Sequence, residues 1–344
     1  MRKNKKTYLI IIFTLITHFI KAQEIYSYEK QIDSIENYIF TQFETENKND
    51  NVILRGTLVE PKTNYTKVVI IVPGSGKDTR NSHYKLTAKL LENNIAVYRY
   101  DERGCGFSSG NFNTYFYNVN DMISDLKSVY KDLKNNKLLK DKKIGLLGHS
   151  LGGMVTISLD DSNLIPDFFI QLASPVQNKG AFLKYQLTTS VNKFENELIY
   201  DSLEEKLNVM DKINNVIFEN RTDENIELVK KIHKVSKEIG YTKKRYKRFT
   251  YANFYSTKEL IKKDLENAYK MCTTNLLYII GENDKYVDAK SETELLSSFN
   301  NKYIEIVKIK SLNHYLQSGT ENIEHLYEIE DEALTKIIKW TNKQ

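Results

Sequence analysis

Apolar residues along this chain fall into short continuous runs separated by longer stretches of helical period. The runs are Lys67–Val72, Ala96–Tyr100, Lys143–Leu147, Asp167–Leu172, Asn275–Ile280 and Tyr303–Ile309. Their centres are apolar at successive positions, so both faces of each strand are covered, as in a parallel sheet buried under helices. Between them His83–Glu92, Val119–Leu133, Leu151–Leu159 and Ser291–Ser298 read as helices, with Glu328–Trp340 closing the chain. Ahead of the first run, Tyr38–Thr45 and Val52–Val59 alternate apolar with polar and are joined by the polar turn 46–51, which predicts an antiparallel hairpin. Strands alternating with helices predict an α/β chain built on a doubly wound, mostly parallel sheet.

One connection is too long for a crossover. Residues 176–268 separate two successive late strands and carry three stripes of helical spacing: Leu203, Leu207, Met210, Ile213 and Ile217; Ile226, Val229, Ile232 and Val235; and Leu260, Ile261, Leu265 and Tyr269. The expectation is a helical cap inserted over the C-terminal edge of the sheet. The core is then 23–175 with 269–344.

The first 22 residues stand apart from this pattern. Arg2, Lys3, Lys5 and Lys6 precede an apolar stretch from Tyr8 to Ile20, and Ala22 follows. Crossing a bilayer takes about 20 apolar residues, so the shorter stretch reads as a secretory signal peptide over 1–22. It also resembles bacterial signal peptides that end in Ala-Gln. The expected location is secreted or periplasmic, without stable membrane insertion after cleavage; a retained anchor is the alternative, since Ile20 fits a cleavage site poorly. The leader also changes the meaning of the charge. The formal net charge is +5, and Arg2, Lys3, Lys5, Lys6 and Lys21 supply all of it. The remainder is formally neutral, which speaks against a nucleic-acid partner. One basic run remains, Lys243 to Arg248, read as a solvated surface. The two cysteines, Cys105 and Cys272, follow one strand and precede another, at opposite edges of a parallel sheet. A disulfide needs Cα atoms about 6 Å apart, so two free thiols are expected.

Chemistry enters at Gly148-His149-Ser150-Leu151-Gly152, which lies between a strand and a helix. A serine on so sharp a turn has a strained backbone and an exposed hydroxyl, the setting of an activated nucleophile. The flanking glycines allow close chain passage, and the following helix offers N–H groups to an oxyanion. A nucleophilic serine needs a base, and the base an orienting acid. Of six histidines, His314 lies in the loop after the last strand, on the same sheet edge as Ser150. His149 is expected to point away from Ser150, and His233 and His325 lie in helix-like segments. Asp284, in Gly281-Glu282-Asn283-Asp284, follows the preceding strand; Asp288 is the competing acid and otherwise a helix N-cap. The oxyanion donors are expected from the backbone of Leu151 and of Ser75, within Pro73-Gly74-Ser75-Gly76. Each such donor is typically worth about 3–4 kcal/mol in the transition state. Gly74 and Gly76 would shape that loop around substrate. The loop Asp101 to Ser108 reads as structural support braced by an Asp–Arg interaction, with Cys105 and Phe107 as candidate contacts on the substrate wall.

Taken together, Pro73-Gly74-Ser75-Gly76, Asp101-x-Arg103-Gly104-x-Gly106-x-Ser108, Gly148-His149-Ser150-x-Gly152-Gly153, Gly281-x-x-Asp284 and Asn313-His314 resemble the α/β-hydrolase superfamily. More narrowly, they resemble secreted bacterial esterases near the serine aminopeptidase and dienelactone hydrolase branches. The chain departs from that pattern at Pro73, where members often carry histidine, and at Asp288, where many carry proline. The resemblance implies a serine hydrolase with a Ser150–Asp284–His314 triad, acting on a small-molecule ester without metal or organic cofactor. A peptidase on the same scaffold is the alternative; Glu204-Glu205 or Asp223-Glu224 would then hold a substrate amino terminus. A non-catalytic binding module is the third reading. Acyl and alcohol specificity and oligomeric state stay open.

Overall fold

A computed structural model describes residues 32–113, 116–159, 164–191, 202–239, 255–320 and 326–344. The leader 1–22, the basic run 243–248 and His325 lie outside them. Eight strands form one sheet: β1 (Tyr38–Asn47), β2 (Val52–Pro61), β3 (Lys67–Val72), β4 (Ile95–Tyr100), β5 (Lys143–His149), β6 (Phe169–Leu172), β7 (Leu276–Gly281) and β8 (Ile304–Ile309). Their order is β1-β2-β4-β3-β5-β6-β7-β8. The hairpin β1–β2 and its join to β4 are antiparallel, and every later pairing is parallel. The sheet is therefore doubly wound and mostly parallel, as the apolar runs imply.

Alternation within the strands explains why both faces are buried. Val68, Ile70 and Val72 of β3 face one core, shared with α2 (Val119–Asn135) and α9 (Ala289–Ser298). Val69 and Ile71 face the other, shared with α1 (Tyr84–Glu92) and α10 (Asp331–Asn342). Strand β7 divides in the same way, Tyr278 and Ile280 against Leu277 and Ile279. Burying a Leu, Ile or Val side chain contributes roughly 1.5–3 kcal/mol, so the period of two fixes which way each strand faces.

Most boundaries shift by a residue or two from the sequence pattern, and three of the shifts have a plain local reason. Strand β5 runs on to His149, so the turn to α3 (Leu151–Ile157) begins at the strand's last residue. Strand β6 starts two residues late because the Asp167 carboxylate accepts the Ile144 N–H, at 2.7 Å. Helix α10 starts at Asp331 because the chain before it stays extended, with Glu330 N–H donating to the Leu316 carbonyl at 3.0 Å.

The long insertion is helical: α4 (Ala181–Thr188), α5 (Leu203–Glu219), α6 (Asn225–Glu238), α7 (Tyr255–Ile261) and α8 (Leu265–Met271). Its helices share a separate core with Met154 of α3, built from residues such as Leu183, Met210, Ile213, Leu228, Ile232 and Ile261. The expected α6 stripe needs correction. Ile226 is 68% exposed, whereas Leu228 and Ile232 are buried. The buried face therefore begins two residues later, at Leu228, and includes Ser236, whose hydroxyl bonds back to the Ile232 carbonyl at 2.7 Å. Leu203, expected to start the α5 stripe, is also exposed. Polar clasps hold the base of the insertion. The buried Glu292 carboxylate of α9 accepts the N–H groups of Val176 and Gln177, both at 2.9 Å. Asn178 bonds Asp264 at 2.8 Å and Glu266 at 2.9 Å, which joins the segment's entry to its exit. Among the described residues no helix is long and apolar enough to cross a membrane.

Candidate active site

Ser150 stands between β5 and α3 with φ 54° and ψ −116°, a backbone conformation costing about 1–3 kcal/mol for a non-glycine residue. The surroundings impose it. Ser150 N–H donates to the Leu172 carbonyl at 2.8 Å, and Gly153 N–H donates to the Ser150 carbonyl at 3.0 Å. A Cβ on Gly148 would stand 2.4 Å from the Gly152 carbonyl oxygen, and one on Gly152 2.2 Å from that of Val72. Both distances are impossible, which is why glycine flanks the serine on each side.

Asp284 and His314 come from the ends of β7 and β8. The chain at Gly281 passes so close to Leu312 that a Cβ there would meet the Leu312 carbonyl oxygen at 2.2 Å. Asn283 N–H closes the same gap, donating to that oxygen at 2.9 Å. Asn313 shapes the histidine loop, its side-chain oxygen accepting Tyr315 and Gln317 N–H at 3.0 Å each. Asp284 is buried, and one carboxylate oxygen accepts Tyr286 N–H at 2.7 Å and Val287 N–H at 2.9 Å. Its other oxygen lies 2.7 Å from His314 Nδ1. A carboxylate can only accept here, so Nδ1 carries the proton and Nε2 is left as the basic nitrogen. Tyr185 of α4 donates to the Asp284 carbonyl at 2.9 Å, which ties the insertion to the acid. Asp288 does something else: it caps α9, accepting Lys290 and Ser291 N–H.

Ser150, His314, Gly74, Ser75 and Leu151 line one cavity of about 200 Å³, closed by Phe182, Leu183 and Leu260 of the insertion. The Gly74 loop lies on the serine turn; a Cβ at Gly74 would be 3.3 Å from the His149 carbonyl oxygen and 3.4 Å from Ser150 Cβ. Gly76 has φ +118° and lines an adjoining cavity with Gly74 and Ser75.

Two expectations are corrected. Cys105 and Phe107 do not line either cavity beside Ser150. Cys105 is buried with its thiol pushed up to about 11 by desolvation, and Phe107 is 57% exposed, with Arg80 over its ring. The brace in the 101–108 loop is not Asp101 with Arg103. Asp101 pairs with Arg80 at 2.8 Å, whereas Arg103 is bidentate to Asp125, at 2.7 and 2.8 Å, and also reaches Asp50. The first pair anchors the glycine loop to β4, and the second ties the β1–β2 turn to α2. His149, expected to point away from Ser150, packs against the His314 loop. Its ring packs 5.1 Å from that of His314, and Nε2 donates to the His314 carbonyl at 3.2 Å. His83 packs behind it at 5.3 Å. Burial pushes His83 down to about 3 and His149 well below the ordinary histidine range, so both are neutral near pH 7.

Asp78 and Glu102, which the sequence gives no reason to single out, support the glycine loop. Glu102 accepts Asp78 N–H at 3.0 Å, and Tyr327 donates to Asp78 at 2.5 Å. Burial raises the Asp78 carboxyl to about 6 and lifts that of Glu102 well above its usual range. Among the described residues no cluster of three or more histidines, cysteines or carboxylates could hold a metal ion. Both cysteines are free thiols.

The profile of the family described as Serine aminopeptidase, S33, matches residues 63–321. The fold is similar to that of the Pyrococcus furiosus esterase Pf2001, with a TM-score of 0.55 at 18% identity, over 89% of this chain and 90% of that one. It is also similar to Est1E from Butyrivibrio proteoclasticus, solved with ferulic acid bound, with a TM-score of 0.54 at 18% identity over 88% of this chain and 98% of that one. The meta-cleavage product hydrolase CumD from Pseudomonas fluorescens gives a TM-score of 0.52 at 14% identity, over 88% of this chain and 97% of that one. These likenesses establish the α/β-hydrolase fold. No curated protein sequence matches this chain.

Proposed function

The chain belongs to the serine aminopeptidase S33 family of α/β-fold hydrolases, and from that premise we propose that it is a serine hydrolase cleaving carboxylic esters through an acyl-enzyme. One observation carries the reading: His314 Nδ1 lies 2.7 Å from the buried Asp284 carboxylate, and His314 opens onto the same cavity as the strained Ser150. In this mechanism Ser150 Oγ attacks the ester carbonyl while His314 Nε2 takes its proton. Asp284 keeps Nδ1–H in place and stabilises the imidazolium. The backbone N–H groups of Leu151 and Ser75 hold the oxyanion. His314 returns the proton to the leaving alkoxide, and water, deprotonated by the same base, releases the acid. The cycle as written requires neither metal nor organic cofactor. Residues 176–268 act as the cap, contributing Phe182, Leu183, Gln186 and Leu260 to the cavity wall.

The ester reading is favoured over the peptidase reading by the carboxylates of the insertion. Glu204 is exposed and Glu205 half-buried on α5, Asp223 pairs with Lys231 at 2.7 Å, and neither pair lines the cavity. Export through residues 1–22 is part of the proposal; protein isolated from its native envelope should begin at Gln23 by intact mass, and a mass that includes the leader would mean a retained anchor. The activity is tested with Ser150→Ala and wild type on p-nitrophenyl esters and aminoacyl anilides. Wild type should turn over esters faster than anilides, and the variant should lose about 10⁴–10⁶ in kcat while folding normally. Near wild-type turnover by the folded variant removes Ser150 from the mechanism, and preference for anilides makes the protein a peptidase.

A further inference from the structure

The oxyanion loop separates two cavities, and their chemistry differs. The first, about 200 Å³, holds Ser150 and His314 together with Gln186, Tyr286, Tyr315 and Tyr327. The second, about 170 Å³, is walled by Phe112, Tyr117, Val119 and Met122, with Glu102 and Asn118 among its polar residues. Gly74, Ser75, Leu151 and Leu260 line both. A carbonyl held by the N–H groups of Ser75 and Leu151 therefore sits at the divide, with one ester substituent directed to each side.

The chemistry decides which goes where. The leaving oxygen must receive its proton from His314, and of these two cavities His314 lines the first and not the second. The alcohol portion accordingly lies there, among phenols and an amide, and the acyl portion enters the second cavity. Among the described residues no lysine or arginine lines that cavity. The carboxylate it does have, Glu102, is already engaged, accepting from Asp78 N–H and from the Tyr117 hydroxyl at 3.3 Å. An anionic acyl group would be desolvated beside Glu102, with Lys77 held over the Phe112 ring at 5.8 Å rather than on the cavity wall. For size, an apolar protein cavity of about 150 Å³ accommodates benzene.

We propose that the enzyme's substrates are esters of neutral, apolar carboxylic acids whose acyl group is about the size of a phenyl ring or a five- to six-carbon chain, seated between Phe112, Tyr117, Val119 and Met122. This rests on the serine-hydrolase reading above. The test compares kcat/KM for p-nitrophenyl acetate, butyrate, hexanoate, octanoate and benzoate, and for acetates of alcohols of increasing size, in wild type, Met122→Trp and Phe112→Ala. Wild type should favour hexanoate or benzoate over acetate by at least about tenfold, the scale of one or two methylenes in an apolar pocket. Met122→Trp fills the second cavity and should lower the hexanoate-to-acetate ratio by a similar factor. Phe112→Ala widens it and should raise the ratio of octanoate to butyrate, which decides the matter should the tryptophan variant not fold. Unchanged acyl ratios in the folded variants overturn the proposal, as does a change confined to the alcohol series, which would mean the two arms are reversed. Failure of the underlying reading looks different: wild type would then turn over no ester and form no phosphonate adduct at Ser150.

Discussion

The C-terminal edge of the sheet and the helices of residues 176–268 face the same cavity, yet different forces hold them. At the sheet edge, backbone geometry does most of the work. Ser150 is fixed by glycines that admit no side chain and by strand hydrogen bonds, and Asp284 by two amide donors. His314 is held by the Asn313 turn. In the insertion, side chains decide. Its helices pack through their own apolar core and join the base through Glu292 and Asn178. A backbone-built site tolerates no change of residue type at a few positions. A side-chain-built wall can be remodelled by many substitutions, each altering which substrate fits.

The sharpest break of this comparison is at the acid. Asp284→Asn should lower kcat on an activated ester by up to about 10⁴, because an amide favours the wrong imidazole tautomer. Asp288→Asn, four residues away, should cost at most about 1 kcal/mol of stability through its helix cap and leave turnover near normal. Steady-state kinetics on both variants separates them, and a crippled Asp288 variant with a normal Asp284 variant would reverse the assignment.

A smaller effect probes the insertion's own core. Ile232→Ala should destabilise by about 2–5 kcal/mol, the range for a buried Ile-to-Ala change. Ile226→Ala, on the exposed side of the same helix, should change stability by less than about 0.5 kcal/mol. Denaturant midpoints give both numbers, and equal losses would put the α6 register in error.

The smallest effect sharpens the boundary between the two parts. Burial raises the Glu292 carboxyl to about 7 against the amide donors that lower it. An unfolded glutamate titrates near 4.3. Between roughly pH 4.3 and 7 the native state keeps a proton that the unfolded chain has lost, so this group's contribution to stability falls as pH rises through that window and is flat above it. Over the whole window the loss is up to about 4 kcal/mol. Glu292→Gln should therefore gain relative to wild type between pH 5 and 8 in equilibrium unfolding; a difference that stays constant with pH would show that Glu292 carries no such proton.

The contrast also explains what was legible in the sequence. Strand runs, hairpin, elbow and the loops bearing Asp284 and His314 depend on residues adjacent in the chain, so glycine, asparagine and apolar period announce them. The Arg80–Asp101 pair and the stack of His83, His149 and His314 join residues from different loops, and no spacing reveals them. The α6 stripe was misplaced because Ile226 fits the helical period yet faces solvent, while the buried Ser236 does not look apolar. Cys105 and Phe107 follow a strand at the site-bearing edge, but Phe107 lies under Arg80 and neither residue lines either cavity.

The central claim is that Ser150 is the nucleophile of a serine hydrolase, activated by His314 and Asp284. The most direct measurement is to treat the folded protein with a fluorophosphonate, digest it and locate the added mass. The account predicts a stoichiometric adduct on the peptide containing Gly148-His149-Ser150-Leu151-Gly152, lost in His314→Ala. An adduct on another residue, or a folded protein that stays unlabelled, would contradict it.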